Sequence, residues 1–198
     1  VNYNGKSKKF LINKNLESLK FNLLACLAVI SVYFDLDNLN ENFFYNYNLP
    51  EGRGDRHCIN LKNKKINLID ESYNSNPSSL EFAIDRFNNL DSKPNKKIIL
   101  LGDMLELGKY SKKLHIDAAK IVNKSDINTV YVYGKSIIDT FNKIKPQKKG
   151  RILNSKKDIL KFFINDIKNG DCLMIKGSNS TGLNAITKNL KLGRLSAL

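Results

Sequence analysis

From residue 66 to residue 190, short apolar runs alternate with segments whose apolar residues recur at helical spacing. The runs 66–69, 97–101, 129–133, 151–153 and 172–175 are too short for helices and too uniformly apolar for one-sided strands. They read as strands covered on both faces. The segments 77–90, 111–123, 136–144, 158–168 and 182–190 read as helices. Asn76 is placed to cap the first of them, with Pro77 in its opening position. Strands that each hand over to a helix define an α/β class, a mostly parallel sheet with helices on both faces.

The first 50 residues follow another pattern. Residues 1–12 read as an edge hairpin turning at Asn4-Gly5, residues 18–34 as a buried helix, and residues 37–47 as a short second helix or a loop. Leu49-Pro50-Glu51-Gly52-Arg53-Gly54 gathers turn formers and marks a boundary, giving domains 1–50 and 51–198. A chain of 198 residues accommodates one domain and part of another. It opens on Val1, not Met, and is expected to be a piece of a longer protein. Its longest apolar run, 23–30, is far short of the roughly 20 residues needed to span a bilayer, so no membrane partner is expected. Cys26, Cys58 and Cys172 lack metal-ligand spacing and are expected to act as small hydrophobes in a reducing cytoplasm.

The net charge of +14 comes almost entirely from lysine, with arginine only at 53, 56, 86, 151 and 194. Lysine, asparagine and isoleucine are abundant together, as AT-rich codons would make them. The charge therefore reads as a solvated surface, and no nucleic-acid partner is expected. A nucleic-acid-binding domain, the reading set aside, requires lysines gathered on one face.

Parallel α/β sheets bind ligands at the carboxyl ends of their strands. There the first strand runs into Asp70-Glu71-Ser72-Tyr73-Asn74-Ser75-Asn76-Pro77. An ionised carboxylate only accepts hydrogen bonds and a ribose diol offers two donors, so the acidic pair suits a ribose. A capping segment with a solvated Glu71 is the plainer alternative. The second strand runs into Gly102-Asp103-Met104-Leu105-Glu106-Leu107-Gly108, in itself an ordinary strand-to-helix loop. His115 in the next helix reads as a satisfied helical histidine. The last strand runs into Lys176-Gly177-Ser178-Asn179-Ser180-Thr181-Gly182, which resembles a phosphate cradle opening a helix. Neither it nor Gly5-Lys6-Ser7 is a Walker A motif.

In this order the motifs resemble the Mur ligases, in particular the branch that joins D-alanyl-D-alanine to UDP-N-acetylmuramoyl-tripeptide. Asn22-Leu23-Leu24-Ala25 and Gly52-Arg53 complete the resemblance, which covers the whole chain. It implies that residues 1–50 end a central ATPase domain and that residues 51–198 form a Rossmann-like C-terminal domain. The P-loop, the magnesium ligands and a carbamylated lysine belong upstream, so this chain alone is not expected to ligate. It implies ATP with Mg2+ as cofactor, the UDP-tripeptide and D-alanyl-D-alanine as partners, a monomer, and a cytoplasmic role in peptidoglycan synthesis. Asn22 would approach adenine, Arg53 the phosphates, and Asp70 and Glu71 the ribose. Asn74, Asn76, Asp103, Met104, Glu106, Lys176, Ser178, Asn179 and Ser180 would face the substrates. The resemblance assigns no catalytic residue and no metal ligand to this chain. Departures from the family pattern fall at Ser18-Leu19, Asn179, Leu183 and Asn184. A non-catalytic nucleotide- or partner-binding module that keeps the fold is the alternative.

Overall fold

The computed structural model describes residues 1–13, 16, 19–47, 49–90 and 93–194. The chain divides into two compact units, Val1–Pro50 and Glu51–Leu198.

The first unit opens with β1 (Asn2–Tyr3) paired antiparallel to β2 (Lys6–Ser7). The turn residues Asn4 and Gly5 have φ of 46° and 73°, the handedness that matches the strand twist. The hairpin ends at Ser7 and does not extend to residue 12. Helix α1 (Lys20–Tyr33) follows, and the expected first residue of this helix, Ser18, lies outside the described residues. Leu23 and Leu27 pack with Leu16, Leu36 and Phe44. The helix is not the buried one expected, since Phe21, Val29 and Val32 are exposed. Its apolar residues run all round it, and one small cluster covers one side. Residues 37–47 form no second helix; a 3₁₀ turn at Leu36–Asn38 leads into a run of turns.

The second unit runs β3 (Asp55–Leu61), β4 (Lys64–Glu71), α2 (Pro77–Asn88), β5 (Lys97–Gly102), α3 (Ser111–Lys124), β6 (Thr129–Tyr133) and α4 (Ile137–Lys143). It continues with β7 (Lys149–Leu153), α5 (Lys156–Lys161), β8 (Cys172–Lys176) and α6 (Leu183–Lys191). The six strands lie in the order β3-β4-β8-β5-β6-β7. Five are parallel, and β3 joins β4 antiparallel at the edge. One face packs on α2, α3 and α4. The other packs on α5, its π-helical continuation Phe162–Asp166, and α6.

Strand β3 is absent from the sequence reading. It is an edge strand with Ile59 and Leu61 turned inward and Cys58 and Asn60 outward, so it offers no continuous apolar run. Lys62 and Asn63, with φ of 45° and 65°, turn it into β4. The same alternation corrects the expectation for Cys58, which is exposed, as is Cys26; Cys172 alone is buried.

The crossover helices run antiparallel to the strands, so their C-terminal carbonyls gather at the amino edge of the sheet, where the last turn lacks intrahelical donors. Lysines fill that role. Lys97 Nζ donates to Asn88 O at 2.7 Å, Lys148 Nζ to Ser125 O at 2.5 Å and Lys64 Nζ to Ile167 O at 2.9 Å. Lys97 also pairs with Asp126 at 2.6 Å. Replacing Lys97 by Met should cost about 1–2 kcal/mol, because it leaves a half-buried carbonyl and a carboxylate without their donor. Lys96→Met, at an exposed side chain with no partner among the described residues, should leave the urea midpoint of this unit unchanged. Equal effects of the two substitutions would contradict this assignment.

Candidate functional site at the carboxyl edge

Strand β8 is inserted between β4 and β5. The chain leaves β4 and β5 for helices on one face and leaves β8 for α6 on the other, so the outgoing loops part on either side of β8. Such a divergence is where open α/β sheets bind ligands. Ser178 ties the three loops together there. Its amide donates to Asp103 O at 3.0 Å. Its hydroxyl accepts from the Leu105 amide at 2.9 Å and donates to Ser75 O at 3.3 Å. Below it Gly102 and Gly177 are in close approach: a Cβ on Gly177 would lie 3.1 Å from Gly102 Cα and 2.9 Å from Leu183 Cδ1. The floor of the crevice is filled with protein, and the groups left to meet a ligand stand on its rim.

The loop after β5 is largely structural. His115 is wholly buried; its Nδ1 donates to Ser111 O at 2.8 Å and its Nε2 accepts from the Met104 amide at 3.1 Å. Both ring nitrogens are used by a neutral imidazole, the satisfied histidine expected. The Asp103 carboxylate accepts from the Lys135 amide at 3.1 Å and the Ile137 amide at 2.7 Å, holding the start of α4. Met104 is 1% exposed and belongs to the core. Of these two residues expected to face substrate, the Asp103 side chain is a helix cap and the Met104 side chain is packing. Glu106 is exposed and makes no ion pair among the described residues. Its φ of 63° is a costly conformation for a residue with a Cβ, of the kind that collects at ligand sites.

The acidic pair divides. Asp70 is 2% exposed and saturated: Oδ1 accepts from the Ser72 amide at 3.0 Å and hydroxyl at 2.5 Å, and Oδ2 meets Lys191 Nζ at 2.6 Å. Asp70, expected at the ribose, spends its carboxylate within the protein. Glu71 lies between Arg86 and Lys176, each 3.8 Å away and too far for a direct hydrogen bond. Burial pushes its carboxyl above the usual range, and the two cations offset this only in part. Lys176 is almost wholly enclosed, and its Nζ donates to Asn74 O at 3.0 Å. Burial pushes its ammonium below the ordinary lysine value against the opposing pull of Glu71. It is thus a strut under the Asn74 loop. Ser178, also expected to face substrate, has its hydroxyl engaged twice within the protein.

Lys191, at the end of α6, was not visible as a site residue. Its Nζ lies 2.6 Å from both Asp55 Oδ2 and Asp70 Oδ2. Asp55 Oδ1 accepts the Gly52 amide at 2.7 Å, and Asp55 Oδ2 meets His57 Nε2 at 2.6 Å. The Gly54 amide donates to Asp70 O and the Tyr73 amide to Gly52 O. A Cβ on Gly52, whose φ is 74°, would come within 2.9 Å of Tyr73 N. One lysine thus clamps the boundary turn against the loop after β4. On that platform the exposed Arg53 guanidinium lies 4.6 Å from the centre of the Tyr73 ring. Asp55 and Lys191 are 136 positions apart, and only the folded chain brings them together.

The remaining expected residues fall on surfaces. Asn74 and Asn76 are exposed; the Asn74 Oδ1 accepts from Ser75 N, and Asn76 caps α2 through Ser79 in a reciprocal pair of bonds. Asn179 and Ser180 are exposed ahead of α6, and Asn179 accepts from the Asn184 side chain. Asn22 is exposed on α1 of the first unit. Among the described residues no three His, Cys, Asp or Glu side chains gather to hold a metal ion.

This layout, a mostly parallel sheet with an inserted strand and a glycine-rich carboxyl edge, is that of the Mur ligase C-terminal domain. The sequence profile of the family "Mur ligase, glutamate ligase domain" matches residues 56–179, and the chain belongs to the Mur ligase family. It is 30% identical over 128 residues to the UDP-N-acetylmuramoyl-tripeptide–D-alanyl-D-alanine ligase of Bacillus subtilis, covering 63% of this chain and 28% of that protein. It is 35% identical over 138 residues to the ligase of the same name from Buchnera aphidicola of Acyrthosiphon pisum, covering 67% and 28%. The crystal structure of MurF ligase from Thermotoga maritima in complex with ADP superposes with a TM-score of 0.68 at 20% identity, over 90% of this chain and 39% of that one. The chain thus spans less than a third of the length of these two curated relatives.

The clamp has a pH signature. Burial raises the Asp55 carboxyl, but hydrogen bonds from Lys191 and His57 outweigh it and hold the group below its ordinary 3.8. The folded state therefore binds fewer protons than the unfolded one, and the stability Asp55 contributes is present above about pH 4 and lost as pH falls through the folded value. Lys191 is the mirror case. Burial lowers it, its two carboxylates outweigh that and raise it above 10.5, and its contribution is lost as pH rises through the folded value. In urea titrations, wild type should exceed Asp55→Asn in stability at neutral pH, and the gap should close in acid. A gap that persists unchanged at pH 3 would contradict the clamp.

Proposed function

We propose that this chain is the C-terminal portion of an ATP-dependent ligase that joins D-alanyl-D-alanine to UDP-N-acetylmuramoyl-tripeptide in the cytoplasm, for peptidoglycan synthesis. Residues 1–50 would end its central ATPase domain and residues 51–198 form its C-terminal domain. The names of the relatives support the reaction. The observation that carries the reading is Arg53, an exposed guanidinium held on Tyr73 at the ligand-binding edge by a buried clamp.

ATP, when bound, supplies the phosphoryl group that turns the tripeptide carboxylate into an acyl phosphate open to attack by the dipeptide amine. The chain's own residues have narrower tasks. Arg53 neutralises phosphate charge, with Tyr73 restricting its rotamers before the ligand arrives. Glu71 keeps its acceptor capacity because its cations stand off at 3.8 Å, and it is the member of the acidic pair able to take a ribose hydroxyl. Glu106, Asn179, Ser180 and the amide groups of Asn74 and Asn76 line the rim that would meet the dipeptide. Lys176 and Ser178 hold that rim in place. Magnesium would be held by groups outside the described residues, and no step here depends on it.

The test is a fusion of this chain behind the preceding domains of the Bacillus subtilis relative. Phosphate release should require both the UDP-tripeptide and D-alanyl-D-alanine. Arg53→Ala should lower turnover by about a hundredfold. Lys96→Ala, at the far edge of the sheet, should leave it within about twofold; Lys97 is unsuitable as a control because it caps α2. Release that ignores the dipeptide, or equal loss in the two variants, would overturn the proposal.

A further inference from the structure

The +14 charge is unabsorbed by the site, and part of it lines the amino edge of the sheet. Lysines crowd the turns at the amino edge of the sheet, opposite the carboxyl-edge loops. Some are spent on helix carbonyls, as Lys64, Lys97 and Lys148 are. Others are exposed and have no side-chain partner among the described residues: Lys62 and Lys65 at the β3–β4 turn, Lys93 and Lys96 before β5, Lys124 before β6, and Lys143 and Lys145 before β7. The carboxylates described in these turns are occupied. Asp126 pairs with Lys97, Asp166 with Arg151, and Asp171 accepts the Lys168 amide. Free positive charge therefore runs along a rim about 25 Å wide, the span of six strands. The second unit begins at the other edge, where Gly52 and Gly54 bond to Asp55 and Asp70, so the basic rim stands clear of the candidate site.

We propose that this amino edge is a docking surface for an anionic lipid bilayer, which it meets peripherally through its lysines. The chemistry of the rim selects that partner over nucleic acid. None of the five arginines lies in these turns, so the forked donor that reads bases and grips phosphate is missing. The exposed rings of the unit, Tyr73, Phe82 and Tyr110, lie elsewhere, so no base can stack there. The rim consists of turns at strand starts, with no helix or ribbon projecting to enter a groove. A headgroup layer requires only a broad array of point charges, which ammonium groups provide. The contact departs from the expectation of no membrane partner without involving a span; no helix among the described residues is long and apolar enough to cross one. It leaves the carboxyl edge facing the solvent and does not depend on the ligase reading.

The experiment is flotation of the 198-residue chain with vesicles of equal parts phosphatidylglycerol and phosphatidylcholine, and with phosphatidylcholine alone. Binding should appear only with the anionic vesicles and weaken with salt. The triple variant Lys93→Glu, Lys96→Glu, Lys145→Glu should lose at least about tenfold in partitioning. Lys109→Glu, Lys112→Glu, Lys113→Glu carries the same net charge, altered around the start of α3, and should stay within about twofold. Three outcomes would overturn the proposal: no binding by the wild-type chain, equal loss in both variants, or tighter binding of the rim to a duplex oligonucleotide than to the vesicles.

Discussion

The carboxyl edge depends on one strand. Every residue of Cys172–Lys176 is buried, with parallel neighbours on both sides and helices on both faces. Its own outgoing loop turns to one face of the sheet, while those of its neighbours β4 and β5 turn to the other. Its insertion between them also places Lys176 and Ser178 at the point where those loops would otherwise separate. The strand ends in a lysine that props one loop and a serine that joins three, so the rim is assembled from the inside outward. Arg53 and Tyr73 are exposed, but the groups that fix them, Asp55, Asp70 and Lys191, lie below the surface.

Much of this was legible in the sequence, for an identifiable reason. The strands buried on both faces must be apolar throughout, and β5, β6 and β8 announce themselves in that way. The capping of α2 by Asn76 and the plain role of His115 were also readable, because both depend on local spacing. The misses share a cause as well. Strand β3 has one wet face and alternates, so a search for continuous runs passes over it. Helix α1 is apolar on all sides, and its sequence declares a burial that the first unit alone does not provide.

Site residues were less legible than elements. Motif position brought Asp70, Asp103, Lys176 and Ser178 to the right edge, but it could not say which way each polar group is spent. Asp70 is consumed by Ser72 and Lys191, Asp103 by the amides of Lys135 and Ile137, and Ser178 by Leu105 and Ser75. Apart from the local Asp70–Ser72 pair, each bond reaches a partner whose distance along the chain carries no local pattern. Lys191 carries no motif that sets it apart from the other lysines of the chain. Three lysines of the same excess, Lys64, Lys97 and Lys148, are spent on carbonyls at helix ends, which the sequence does not announce.

The central claim is that the carboxyl edge, with Arg53 on its clamped platform, is where this chain meets a nucleotide. Amide NMR of the 15N-labelled chain titrated with ADP at moderate salt tests it directly. The account predicts shifts concentrated at residues 52–54, 71–76 and 177–180, reduced by Arg53→Ala. Shifts confined to the lysine rim at residues 62–65, 93–97 and 143–149, or a pattern unchanged by Arg53→Ala, would contradict it.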